Sequence, residues 1–318
     1  ELAWTATSTG WFARALTRAP SAVIHLRDIR YVRLGTRDLD ESARFARDIL
    51  GLEPAGCDTN ARYFRSDNRD HTLVYFKGDP HDHATAFELE GREALHAAGE
   101  VLEGLKREVV WGTRTDCEQR RVESLLSFTD PRGNKVELVV RPHHSGKEYL
   151  PQRAAGITGF SHIGLRTTDP VRDENFWTQV MSAKVSDRIG PAALLRIDEV
   201  HHRMALFPST YAGVQHVNHQ VESFDDIMRS YYFLKGRGVK IVFGPGRHPT
   251  SSAMFLYFEG PDGMVYEYSS GVRLIGKEEE ASYRPRQFPF EPSSFCMWGS
   301  RPDIPEFRQK EESDAKAA

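Results

Sequence analysis

The chain has 318 residues, 39% of them apolar and 27% charged, and a formal net charge of −3. This is the balance of a globular protein long enough to bury two cores. So small a negative charge gives no basis for binding nucleic acid or an anionic membrane surface, which leaves a small molecule as the expected partner. No apolar run approaches the roughly 20 residues that cross a bilayer, the first residues lack the basic start and apolar stretch of a secretion signal, and Cys57, Cys117 and Cys296 are scattered without ligand spacing. The cysteines read as reduced thiols of a cytoplasmic protein.

In chain order, residues 1–23 form an extension in which Trp4, Trp11 and Phe12 predict a short helix packed on the module that follows. From Asp38 to Gly51 an acidic start, apolar residues three and four apart and a closing glycine predict a helix; Asp169 to Met181 is its counterpart. Further helices are expected over Arg92 to Arg107 and over Phe224 to Gly236, the latter with Ile227, Met228, Tyr231 and Leu234 along one side. Apolar, β-rich runs between them read as strands. The expected fold is α+β: a first module over residues 24–145 and a second over 156–272, each a pair of βαβββ units, four in all. Arg141 to Ala155 has linker chemistry. The tail, residues 273–318, carries Phe288, Phe290, Phe295 and Trp298 among prolines and is expected to wrap over its own module or a neighbouring subunit, with the last dozen or so residues disordered.

The two modules are copies of one unit. Asp28 to Asp38 overlays Gly159 to Asp169, and Asp130 to Glu137 overlays Gly260 to Glu267, with offsets of 131 and 130 residues. Tyr31 then stands opposite His162, Ala84 opposite His216, and Glu137 opposite Glu267. Each residue of the second set lies in a strand-like run, so His162, His216 and Glu267 are candidate metal ligands delivered from three rigid supports. Two imidazoles and a carboxylate on one face of a metal leave the other positions open, which suits Fe(II) and also accepts Mn(II). The first module, with tyrosine and alanine at two of the three positions, is expected to bind no metal in this way.

Other histidines are assigned by context. His71 stands opposite His202, and strand alternation turns His219 away from the face that carries His216; His201 and His219 are expected to be structural or to support the site. His81, His83, His143 and His144 lie in polar stretches and are expected to be solvated. Tyr257 alternates with Leu256 and Phe258 and so can face a pocket while its neighbours pack behind the strand. The first module has Ser127 at that position.

Gly246-x-His248, Leu256-Tyr257, Pro261-x-Gly263 and Glu267 together resemble the signature of the type I extradiol ring-cleavage dioxygenases of the vicinal oxygen chelate superfamily, the glyoxalase/bleomycin-resistance fold. The resemblance covers residues 24–272. Gly260 departs from it, standing where the family usually has an acidic or small polar residue, and the tail looks like the branch of dihydroxybiphenyl, trihydroxytoluene and alkylcatechol oxygenases. The resemblance implies an Fe(II)-dependent meta-cleavage of a catechol with dioxygen to a 2-hydroxymuconic semialdehyde or its ketone analogue, in aromatic catabolism. It implies that His202 handles the proton, with His201 as the alternative, that Tyr257 hydrogen-bonds the substrate oxygen, and that His248 closes the pocket. A homo-oligomer is expected. Two other readings use the same fold: a glyoxalase-type metal isomerase, which would need ligands at Tyr31 and Ala84, and a metal-free ligand-sequestering protein, which would have no use for His202 and Tyr257.

Overall fold

The computed structural model describes residues 23–308; the helix expected within the N-terminal extension and the disorder expected at the extreme C-terminus lie outside these residues. Strands β1 (Asp28–Thr36), β2 (Glu53–Cys57), β3 (Ala61–Arg65), β4 (Leu73–Lys77), β5 (His83–Leu89), β6 (Val110–Trp111), β7 (Ser124–Thr129) and β8 (Lys135–Val140) form one sheet in the order β2-β3-β4-β1-β5-β8-β7-β6. Strands β9 (Ile157–Thr167), β10 (Lys184–Ile189), β11 (Ala192–Arg196), β12 (Met204–Pro208), β13 (Gly213–Val221), β14 (Ile241–Arg247), β15 (Met254–Glu259), β16 (Val265–Ser270) and β17 (Arg286–Phe288) form the second, in the order β14-β15-β16-β13-β9-β12-β11-β10-β17. Each sheet is two βαβββ units joined through a central antiparallel pair, β1 with β5 and β9 with β13. The fold is α+β, as the repeat predicts. Strand β17 comes from the tail and extends the second sheet by pairing in parallel with β10.

Strand alternation sorts side chains onto two faces. Ile29, Val32 and Leu34 of β1, Ile163 and Leu165 of β9, Leu256 and Phe258 of β15, and Tyr266 and Tyr268 of β16 join one large core together with helix residues Leu95, Ala98, Leu102, Trp177, Ile227 and Leu234. That core runs through both modules: Phe87 packs on Trp177, Phe128 on Phe176 and Phe45 on Tyr266, while the Tyr75 and Tyr266 hydroxyls are hydrogen-bonded. The opposite face of each sheet is separate, and it carries Tyr31 in one module and His162 in the other.

Two helices of the second module begin where the sequence supplies a cap. Ser223 and Asp226 form a reciprocal capping box at the start of Phe224–Gly236, and the Asp169 side chain accepts from the Arg172 N–H at the start of Pro170–Gln179. The segment predicted as one helix from Asp38 differs in detail. It is α-helical over Leu39–Arg44 and then widens to a π-turn over Phe45–Leu50, closed by Gly51 at φ 81°. A helix at Arg114–Arg120 was not expected, since it is polar throughout and buries none of its residues.

The tail lies against the second module, its own. Phe295, Cys296, Ile304 and Phe307 are buried against Phe207, Phe243, Phe255 and Tyr257, and Glu306 pairs with Arg166 at 2.6 Å. Trp298 is half exposed and meets Phe224 edge-on at 5.5 Å. Among the described residues no helix is long and apolar enough to cross a membrane.

Candidate metal centre and its surroundings

His162 projects from β9, His216 from β13 and Glu267 from β16, three adjacent strands of the second sheet. One ligand atom from each lies within 4.8 Å of the others: Nε2 of His162 is 3.1 Å from Nε2 of His216 and 3.0 Å from Oε2 of Glu267. All three side chains are buried. Glu267 Oε2 has a neighbour at hydrogen-bond length yet no bond of acceptable angle, as expected when lone pairs aim at a common point rather than along an N–H···O line. Three buried donors converging this way fit a divalent ion.

Local structure makes this convergence possible. The register of β13 against β9 shifts between Val214 and His216 and again between Asn218 and His219, and these bulges re-aim side chains. Gly164 lies beside His216 on β9, where a β-carbon would collide with the imidazole Nδ1 and Cε1; only glycine leaves room for the ring. Gln215 Oε1 contacts His216 Nδ1, which leaves Nε2 toward the centre. Burial lowers the His216 pKa to about 3, keeping a neutral lone pair available. Burial would raise the Glu267 carboxyl, but the neighbouring histidines, His162 foremost, hold it well below the usual range, so it stays anionic.

Three further groups surround the triad. The His202 ring lies 4.2 Å from that of His162 and is buried; burial first, then His162 and His201, push its pKa well down. Its Nδ1 is 3.1 Å from Nδ1 of His201, whose Nε2 is 3.0 Å from Oδ2 of Asp187. A carboxylate can only accept, so His201 donates from Nε2 and accepts at Nδ1, and His202 donates from Nδ1. This network assigns His202 an unprotonated Nε2. Asp187 is buried, which alone would raise its pKa, but hydrogen bonds from His201 and Arg286 bring it below the ordinary value. Arg286 belongs to the tail and pairs with Asp187 at 2.6 Å.

Tyr257 on β15 stands directly across from Glu267, and its hydroxyl is 3.2 Å from Nε2 of His248. Nδ1 of His248 is 2.8 Å from the Phe295 carbonyl, so Nδ1 donates and Nε2 accepts from Tyr257. Burial and the Glu267 charge raise the Tyr257 pKa well above its ordinary value, and the phenol keeps its proton. All six residues named from the sequence therefore share one region.

The first module lacks the equivalent arrangement. The Tyr31 hydroxyl donates to Glu137 at 2.6 Å, Arg120 pairs with Glu137 at 2.7 Å, and Ala84 offers no donor atom. The His71 ring packs at a tilt beside Tyr31 at 4.8 Å, as His202 does beside His162. One expectation is overturned: His83 is not solvated but buried at the start of β5, its Nδ1 accepting from the Val214 N–H, and burial lowers its pKa to about 4. Its polar neighbours, Pro80 to Asp82, concealed the strand start. His219 leaves the cluster and packs near Phe160. Asp187 and Arg286 were missed, because neither lies near His202 in sequence.

The Glyoxalase/Bleomycin resistance protein/Dioxygenase superfamily pattern matches residues 28–138 and 159–268, so the chain belongs to that superfamily. Among curated relatives, an "iron-dependent extradiol dioxygenase" of Rhodococcus jostii (strain RHA1) is 28% identical over 310 residues, covering 86% of this chain and 96% of that protein. Among solved structures, a manganese(II)-bound glyoxalase from Novosphingobium aromaticivorans superposes with a TM-score of 0.79 at 27% identity, over 90% of this chain and 94% of that one. A halotolerant catechol dioxygenase superposes with a TM-score of 0.80 at 22% identity, over 89% and 97%.

Proposed function

We propose that this protein is an extradiol dioxygenase that opens the ring of a catechol beside its two hydroxyls, inserting both atoms of dioxygen to give a 2-hydroxymuconic semialdehyde-type product. The observation that carries the reading is the buried His162, His216 and Glu267 cluster, present only in the second module and ringed by His202, Tyr257 and His248. His162, His216 and Glu267 would hold the metal, and Fe(II) is the ion proposed, with Mn(II) compatible with the same donors. A ferrous ion held there supplies Lewis-acid and one-electron chemistry, which lets a diol react with dioxygen.

The protein's own groups do the rest. The catechol must lose a proton to bind as an anion, and the lone pair on His202 Nε2 is the base in reach, its tautomer held by His201 and Asp187. That proton can be returned to an oxygen atom later in the reaction. The Tyr257 hydroxyl retains its proton; it donates this proton to His248 Nε2 when no substrate is present and turns it to the substrate oxygen when a catechol binds. Phe295 and Phe307 of the tail pack beside Tyr257 and keep water away from the reacting atoms.

A metal isomerase of the same fold is disfavoured by Tyr31 and Ala84, which leave the first module without ligands to share. A ligand-sequestering protein is disfavoured by the buried His202, His201 and Asp187 chain, which binding alone does not need. The test is anaerobic reconstitution with Fe(II), then addition of catechol or 2,3-dihydroxybiphenyl in air. A yellow ring-opened product is expected from wild type and none from His216→Ala, which should stay folded by circular dichroism but retain no iron. Undiminished iron in that variant refutes the assignment.

A further inference from the structure

Among the described residues, the first module has no His-His-Glu cluster of this kind but does have a cavity. On the face that carries Tyr31 and Glu137 lies a recess of about 410 Å³, within the range of small-molecule sites. Arg33 is two residues beyond Tyr31 on β1 and so shares its face. It lines this recess, is only 9% exposed, and rests over the Phe76 ring at 5.4 Å. Its Nη1 is buried without a hydrogen-bond partner, and among the described residues no carboxylate forms an ion pair with it. The acids around the recess are engaged elsewhere: Glu137 with Tyr31 and Arg120, and Asp82 with Lys135 at 2.6 Å. Glu108 lies at the exposed rim.

A guanidinium withdrawn from water without a counter-charge is costly, and it is tolerated where an anion supplies the missing partner. Its planar fork matches a carboxylate through two parallel hydrogen bonds. Phe76, Ala84 and Val110 give the recess apolar walls, which suit a flat hydrophobic body better than a phosphate or a free inorganic ion. We propose that the first module is a second binding site, for a small aromatic monocarboxylate, with the carboxylate on Arg33 and the ring against Phe76 and Ala84. The site is separate from the metal centre and does not depend on catalysis.

The test uses benzoate as the probe, titrated calorimetrically into the wild-type protein and into His216→Ala, which has no functioning metal centre. Saturable binding to one site is expected in both. Arg33→Met keeps the aliphatic packing on Phe76 and should weaken binding at least about tenfold, the loss expected for one charge-assisted pair. Should that variant not fold, Ala84→Leu, which fills the recess opposite Arg33, should weaken binding instead. Benzamide, the neutral isostere, should bind at least about tenfold more weakly than benzoate. No binding to wild type, equal affinity for benzamide, or benzoate affinity unchanged in the folded Arg33→Met or Ala84→Leu protein would overturn the proposal.

Discussion

His202 shows how a side chain acquires a role from its hydrogen bonds. The assignment of an unprotonated Nε2 rests on Asp187, which fixes His201, which in turn fixes His202. His202→Phe removes the base but leaves all three ligand side chains in place and keeps a ring packed beside His162, so iron content should stay at the wild-type level while kcat falls by about 10²–10⁴, the usual worth of a positioned acid–base group. His201→Gln should keep iron and lower kcat by about tenfold with little change in KM, since it disturbs the tautomer and not the contact with substrate. Equal turnover in wild type and His202→Phe would remove that residue from the mechanism. A change in KM alone for His201→Gln would reduce His201 to packing.

At the scale of elements, close strand approach decides what the metal centre can hold. Gly164→Ala places a methyl against the His216 ring; the ring must tilt, and chelator competition should report iron binding weakened by about 10–100-fold, the typical effect of disturbing a ligand's support. The helix Pro170–Gln179 carries a different device. Asp173 is fully buried, and neither carboxylate oxygen has a hydrogen bond of acceptable geometry. Burial first, then the nearby charge of Asp130, raise its pKa to about 7. The folded state therefore binds this proton more tightly than the unfolded chain, so the carboxyl carries no penalty below pH about 4, a growing one between about 4 and 7, and a constant one above. Asp173→Asn should then raise stability by about 1–3 kcal/mol at pH 8, with the gain vanishing toward pH 4. Urea titrations at the two pH values measure it, and a gain independent of pH would contradict the titration. The first module answers the same position with Ser42, bonded to Thr36 at 2.7 Å.

Across the whole molecule, the tail completes the second module. It supplies Arg286 to Asp187, the Phe295 carbonyl to His248 and the Phe307 ring beside Tyr257. A chain ending at residue 285 retains the triad, so it should still bind iron. It should melt several degrees lower, because each buried apolar side chain it loses is worth roughly 1.5–3 kcal/mol, and it should turn over more slowly because His248 and Asp187 lose their partners. Full activity in the shortened protein would show that the tail is dispensable.

The duplication, the strand positions of His162, His216 and Glu267, and the inward register of Tyr257 were all legible in the sequence, because period-two alternation and a repeat offset are local or self-referential signals. The Asp38 helix was placed by its acidic start, apolar spacing and closing glycine, but its π-turn was not, since widening a turn depends on what packs against Phe45 and Leu50. His83 read as solvent-facing because its neighbours are polar, and only burial against the second module reversed that. The chain His202, His201, Asp187 and Arg286 joins residues as far as 99 positions apart, and the unpaired Arg33 becomes visible only when Glu137 and Asp82 are seen with other partners. Pattern along the chain determined which residues can share a face. Which of them meet across faces, which charges are left unmatched, and how deeply each is withdrawn from water were decided by packing, since those quantities depend on neighbours that no local spacing records.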